Sequence, residues 1–131
     1  LVPDRVATIQ DYAGEKGLIN PVGYSNGEND YKRMCDRDDL DLIVVATPRN
    51  WHIPMCVYAM QAGKHVATEV PAAVTLDDCW KLVEVSEKTK KHCIMMENCC
   101  YFRRALMALN MVRKGLLGEI IHTSRIRALQ T

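Results

Sequence analysis

The run Asp41-Leu-Ile-Val-Val-Ala-Thr47, closed by Pro48, limits the possible folds more than any other stretch. It is continuously apolar, rich in β-branched residues and shows no polar alternation. That is the pattern of a strand covered on both faces, as in a parallel sheet. Pro48 has no N–H for a ladder and ends the strand. Parallel strands need long crossovers, and the sequence that follows supplies them. Trp51 to Ala62 reads as a helix with apolar residues at 53, 55, 57, 59 and 60, closed by Gly63. His65-Val-Ala-Thr68 reads as the next short strand. Pro71 and Thr75 open a helix that runs past Leu82, Val83 and Val85 to about Lys90, with Thr75-Leu-Asp-Asp as its cap. Cys93 to Met96 is expected as a further buried strand, Tyr101 to Lys114 as a helix, Gly115 to Gly118 as a turn and Glu119 to Ile126 as extended chain. Upstream, Asp4 to Lys16 is predicted helical and Pro21 to Tyr24 a short strand. Ser25 or Asn26 is then expected to cap a small helix through Tyr31 and Met34 to Cys35.

This alternation implies βαβ units and an α/β doubly wound parallel sheet with helices on both faces. Ligands of such sheets bind at the carboxyl ends of the strands, and three of those ends carry unusual residues. Thr47-Pro48-Arg49-Asn50-Trp51-His52 packs a guanidinium, an amide, an indole and an imidazole into one strand-to-helix turn. The backbone N–H groups at such a helix start suit an anion or a polar ring edge. The alternative for this segment is a capped turn with Trp51 packed on the helix below. Glu69, in Thr68-Glu69-Val70-Pro71, puts a carboxylate directly after a strand, where it can accept hydrogen bonds from ribose hydroxyls or simply face solvent. Asn98, in Glu97-Asn98-Cys99-Cys100-Tyr101, offers a donor and an acceptor to a carboxamide. Cys99 and Cys100 are expected to be small buried fillers rather than a redox pair, since no basic neighbour is evident to lower a thiol pKa. His65, His92 and His122 are expected in structural or surface roles.

Composition removes several classes. The chain has 131 residues, enough for one core. Its net charge is +1 with no basic stripe, which speaks against nucleic acid and anionic membrane as partners. No apolar run approaches the length of a membrane span, and the start LVPDRVATIQ has no signal-peptide pattern. The six cysteines form no C-x-x-C pair and the four histidines are scattered, so no metal site is expected. Reduced, mostly buried thiols in a cytoplasmic protein are the expectation.

Taken together, Ala46-Thr47-Pro48 with His52, Gly63-Lys64-His65-Val66 and Glu69-Val70-Pro71 resemble the Gfo/Idh/MocA oxidoreductase family. The resemblance runs from the helix at Asp4 to about His122. Dehydrogenases of that family usually carry lysine where this chain has Val70, and a valine can neither transfer a proton nor donate a hydrogen bond. In this respect the chain is similar to the NAD-dependent glycoside hydrolase family 109. So are Ala72-Ala73-Val74-Thr75-Leu76, Ser86-Glu87-Lys88-Thr89, Glu97-Asn98-Cys99-Cys100-Tyr101 and Gly115-Leu116-Leu117-Gly118-Glu119.

The resemblance implies a bound, recycled NAD. It implies oxidation of a sugar C3 hydroxyl, acidification of the C2 proton, elimination of the glycosidic group, addition of water and return of the hydride. It assigns the nicotinamide and ribose side to Thr47, Pro48, Arg49, Asn50, Trp51, His52, Glu69, Val70 and Asn98. A sugar dehydrogenase of the same family is the rival enzyme, and a truncated module that binds no NAD is the non-catalytic one.

The family's first strand and glycine loop have no counterpart here. The expected layout is therefore a partial NAD-binding domain over 1–122, a divergent tail over 123–131 that lacks the substrate tyrosine expected near Arg127, and a catalytic domain elsewhere. Catalytic residues are left unassigned. In a 3-2-1-4-5-6 sheet, the edge of Leu42 to Ala46 would be unpaired. That edge is expected either to bring chains together or to be covered by a rearranged first helix.

Overall fold

A computed structural model describes residues 3–123. Helix α1 (Pro3–Glu15) is followed by α2 (Tyr31–Cys35), strand β1 (Leu42–Val45), α3 (His52–Gln61), β2 (His65–Thr68), α4 (Leu76–Thr89), β3 (Cys93–Met95) and α5 (Arg103–Arg113). Short 3-10 turns at Arg49–Trp51 and Asn98–Tyr101 precede α3 and α5. The chain forms two compact units, Leu1–Met96 and Glu97–Thr131.

The first unit holds a three-stranded parallel sheet in the order β1-β2-β3. Val45, Thr68 and Met95 stand level across it. Each crossover returns the chain to the starting end of the sheet. Because each strand is added on the same side of the one before it, right-handed crossovers place α3 and α4 on one face. The two helices pack against each other there. Their shared core joins Cys56, Ala59 and Met60 of α3 and Leu82 of α4 to Ile43, Val45 and Val66 of the sheet. Each such aliphatic side chain contributes about 1.5–3 kcal/mol by leaving water.

The expectation of strands covered on both faces holds for the central strand β2, where Val66, Ala67 and Thr68 are all buried, and is corrected for the outer strands. In β1 burial alternates, with Ile43 and Val45 inside and Leu42 and Val44 more than half exposed. Ile94 of β3 is exposed in the same way. The crossover helices α3 and α4 lie on one face, which leaves the other open at the outer strands. Likewise β3, expected as a buried strand, is an edge strand.

Local chemistry sets the helix limits. Thr75 Oγ1 accepts the N–H of Asp78 at 3.2 Å, as the sequence predicts, and Asp77 and Asp78 lie in the positive first turn of α4. That helix ends on Lys90 at φ 59°, a left-handed position taken by a residue with a Cβ. Gly63, at φ 82°, closes α3.

The predicted cap of α2 is not formed. Asp30 precedes the helix, and its carboxylate accepts the N–H of Asn26 at 2.8 Å. Pro21 to Tyr24 forms no strand, for it has no neighbour to pair with. It lies on α1 instead: Gln10 donates to the Pro21 carbonyl at 2.9 Å, and Gly23 sits where a Cβ would come within 2.4 Å of Val6 Cγ1.

Hydrogen bonds define the free edge of β1. His65 N–H donates to Asp41 O (2.8 Å) and Glu69 N–H to Val45 O (2.9 Å), so residues 41, 43 and 45 face β2. Leu42, Val44 and Ala46 therefore aim their backbone groups away from the sheet. An open groove of about 750 Å³ runs along this edge. Val44, Ala46 and Pro48 form one wall and Val6, Ile9 and Val22 the other. The first helix thus stands across from the edge without closing on it.

No residue of α5 is buried, and Gly115 and Gly118, both at φ 68°, turn the chain as predicted. Residues 119–123 form no strand; the remainder of the expected extended stretch, and the position of Arg127, lie outside the described residues.

The cysteines depart from expectation. Cys35 and Cys56 are buried, but Cys79, Cys99 and Cys100 are exposed, and all are thiols. Cys79 points outward from α4, and the two adjacent cysteines sit in the 3-10 turn that opens the second unit. Burial, with Asp36 alongside, pushes the Cys35 thiol up to about 11. Brief alkylation of the folded chain should label Cys79, Cys99 and Cys100 and spare Cys35 and Cys56, as read by peptide mass spectrometry. Thr75→Ala should cost about 1 kcal/mol, whereas Lys90→Gly should add roughly 0.5–1 kcal/mol by relieving the left-handed residue. Urea denaturation would measure both.

Candidate cofactor site at the strand ends

The carboxyl end of the sheet is a level edge from which two loops leave. The loop after β1 is Ala46 to Trp51. Thr47 is half-buried and its hydroxyl points back onto α3, donating to Met55 Sδ at 3.6 Å. Pro48 ends the strand, and Trp51 N–H returns to the Pro48 carbonyl at 2.8 Å to make the 3-10 turn. Arg49 and Asn50, at the outside of that turn, are exposed. Trp51 is half-buried and meets Tyr31 of α2 edge-on, with ring centroids 6.4 Å apart. Its indole therefore packs on the body of the unit.

His52, the first residue of α3, points inward and is 2 % exposed. Its Nε2 lies 2.7 Å from the carbonyl oxygen of Thr47 and its Nδ1 lies 2.7 Å from that of Pro71.

The loop after β2 carries Glu69 and Val70, both exposed. The Val70 N–H donates to the Glu69 carboxylate at 3.3 Å, and the Val70–Pro71 bond is cis. Thr68, fully buried, closes the strand beneath them.

Behind that strand Cys56 and Cys93 share a hydrogen bond. This bond and then burial push the Cys56 thiol up, while the same bond draws the Cys93 thiol down. The pair lies within the core and presents no nucleophile to the strand ends.

Asn98 belongs to the second unit. It is exposed at the start of the 3-10 turn, and Glu97 caps that turn by accepting the N–H of Cys99 at 3.0 Å.

Of the nine residues singled out by sequence, Arg49, Asn50, Glu69 and Val70 thus form an exposed fringe on adjacent loops. Thr47, Trp51 and His52 turn toward the interior. The Pro71 carbonyl and Met55 were missed, because a backbone acceptor and a core methionine leave no signature in a motif. Lys64 of the Gly-Lys-His-Val stretch is buried and donates to the Arg37 carbonyl just past α2. Its part in the motif is thus to hold α2 in place.

The residues of the fringe are of types that could hold the ribose and nicotinamide side of a dinucleotide. The fringe offers a carboxylate acceptor, an amide and a guanidinium around open strand ends. It does not fit the pyrophosphate. The glycines with positive φ among the described residues (17, 27, 63, 115 and 118) all lie away from any strand-to-helix turn. Among the described residues, no cluster of three or more His, Cys, Asp or Glu could hold a metal, and no helix is long and apolar enough to cross a membrane.

Residues 9–97 match the model of the Gfo/Idh/MocA oxidoreductase family, NAD-binding Rossmann fold. Alpha-N-acetylgalactosaminidase of Bacteroides fragilis is 55% identical over 108 residues, which is 82% of this chain and 25% of that protein. Glycosyl hydrolase family 109 protein 1 of Bacteroides thetaiotaomicron is 48% identical over 122 residues, 93% of this chain and 26% of that protein. The chain spans about a quarter of the length of these curated relatives. Among solved structures, an aldose-aldose oxidoreductase from Caulobacter crescentus superposes with a TM-score of 0.73 at 29% identity, over 89% of this chain and 33% of that one. Myo-inositol 2-dehydrogenase from Lactobacillus plantarum gives 0.68 at 26% identity, over 85% and 32%.

Because Arg49 and Glu69 are exposed, Arg49→Ala and Glu69→Ala should each shift stability by no more than about 0.5 kcal/mol. Thermal melts would check this, and a larger loss would mean that the fringe is holding the fold together.

Proposed function

The chain belongs to the Gfo/Idh/MocA oxidoreductase family of NAD-binding Rossmann fold, and on that premise we propose that it carries the nicotinamide–ribose half of an NAD site in an enzyme that hydrolyses glycosides. The observation that carries this reading is the fringe at adjacent strand ends with Val70 where the dehydrogenases of the family usually hold a lysine. Bound NAD supplies the acceptance and return of one hydride at sugar C3, a cycle in which the C2 proton is acidified, the glycosidic group leaves and water adds.

The chain's own residues bind and orient. Glu69 accepts hydrogen bonds from ribose hydroxyls, and Arg49 and Asn50 edge the loop beside it. Thr47, Pro48 and Trp51 give that loop its shape. Val70 provides an apolar wall that moves no proton, so proton transfer at the sugar falls to groups that these residues do not include. A sugar dehydrogenase of the same family is the rival that Val70 disfavours. The names of the relatives, a glycosidase and family 109 hydrolases, support the same choice.

The groove beside β1 and the lack of a glycine at any strand-to-helix turn among the described residues favour a second reading. In a 3-2-1-4-5-6 sheet the strand next to β1 carries the phosphate loop. These 131 residues alone should hold NAD weakly or not at all, and their open edge should favour self-association. Calorimetry with NAD should show no micromolar binding, and light scattering should show species larger than a monomer. In a protein that also contains a glycine loop and a catalytic domain, an aryl glycoside should be cleaved in an NAD-dependent manner with no net accumulation of NADH. Stoichiometric NADH and an oxidised sugar would favour the dehydrogenase.

A further inference from the structure

His52 falls in the segment that faces a cofactor, yet its ring is the part of that segment most removed from solvent. Both ring nitrogens lie 2.7 Å from backbone carbonyl oxygens, Thr47 on one side and Pro71 on the other. A carbonyl oxygen only accepts, so a hydrogen bond to either one needs an N–H on the ring nitrogen that faces it. The neutral ring holds one of the two carbonyls and the doubly protonated ring holds both. The two carbonyls belong to different loops. Thr47 leads out of β1 toward Arg49 and Asn50, and Pro71 follows Glu69 and Val70 out of β2. The N–H of Glu69 still pairs with the Val45 carbonyl at 2.9 Å, as the last rung of the ladder. Beyond that rung the chain leaves the sheet, and the His52 ring is what meets it from the β1 side.

We propose that His52 is a positioning residue: a buried tie that sets the spacing between the two loops carrying Arg49, Asn50, Glu69 and Val70, with its side chain turned away from any bound cofactor. The purpose of that spacing rests on the cofactor reading above; the tie itself does not. It explains why a histidine, rather than an aliphatic residue of similar size, opens α3. An aliphatic side chain would fill the space and donate to neither carbonyl, whereas the imidazole sets a ring nitrogen toward each of them and can donate to either. It also explains how an exposed fringe on two separate loops can keep one geometry without direct bonds between its members.

Hydrogen–deuterium exchange on the 131-residue chain without cofactor tests the tie directly. His52→Phe keeps a ring in place and removes every ring N–H; His52→Asn keeps an N–H donor. In His52→Phe, amides in 46–51 and in 69–75 should exchange roughly five- to tenfold faster, the effect expected when one net hydrogen bond is lost from a local opening. Exchange in α4 should not change, and His52→Asn should fall between the two. Unchanged exchange at 69–75 in a folded His52→Phe chain would overturn the proposal, since packing alone would then account for the residue. Should that variant lose protection everywhere, nitrogen-15 spectra of the unmodified chain decide. A ring N–H at Nδ1 or Nε2 of His52 that exchanges slowly with solvent supports the tie, and rapid exchange at both nitrogens refutes it. In a protein that binds NAD, His52→Phe should weaken the affinity at least fivefold while the folded fraction is retained. Failure to bind NAD at all would count against the cofactor reading and leave the exchange result standing.

Discussion

Two parallel strands can be joined only by a connection long enough to carry the chain back to the starting end of the sheet. Helix α3 is that connection between β1 and β2, and most of the first unit depends on it. Its inward stripe of Ile53, Cys56, Ala59 and Met60 supplies one wall of the core, and α4 packs beside it. Its first residue sets a ring nitrogen toward each strand-end loop, and Lys64, just past its end, donates to the Arg37 carbonyl beyond α2. Removing the helix would leave no core for the strands to cover and no common point from which the loops could be placed.

The sheet grows in one direction from β1, and the cost of that growth shows on its other surfaces. Leu42, Val44 and Ile94 stand in solvent on the face away from α3, and the edge at Val44 and Ala46 faces an apolar groove. Exposed strand edges and apolar faces invite further pairing. The first helix stands opposite the edge, while Pro21 to Tyr24, a strand by composition, rests on that helix because no ladder reaches it.

The parts of the fold set by short-range chemistry were legible in the residues. β2 spans His65 to Thr68 as read, Thr75 caps α4, and glycines close α1, α3 and α5 because the left-handed backbone there favours them. What depended on distant partners was not. Whether 21–24 pairs, and whether Leu42 and Ile94 are covered, is decided by neighbours that no local pattern encodes. The same division holds in the candidate site. The residue types at the strand ends were identifiable from spacing, but the direction of each side chain was not. His52 and Trp51 read as part of a ligand-facing cluster, and only packing shows that they turn inward while Arg49, Asn50 and Glu69 turn out.

The level alignment of Val45, Thr68 and Met95 bears on which changes this architecture can accept. Successive residues of a strand advance by about 3.3 Å and point to opposite faces. One residue inserted in β1 or β2 would therefore lift one loop above its neighbour and swap core side chains for exposed ones. The His52 ring, whose two contacts span a fixed distance, could not follow. The stretch between α1 and α2 is part of no ladder, so an added residue there exchanges no core side chains for exposed ones. Variation in length should thus gather on that side of the molecule, and the strand ends should keep their residue count even where their residues differ.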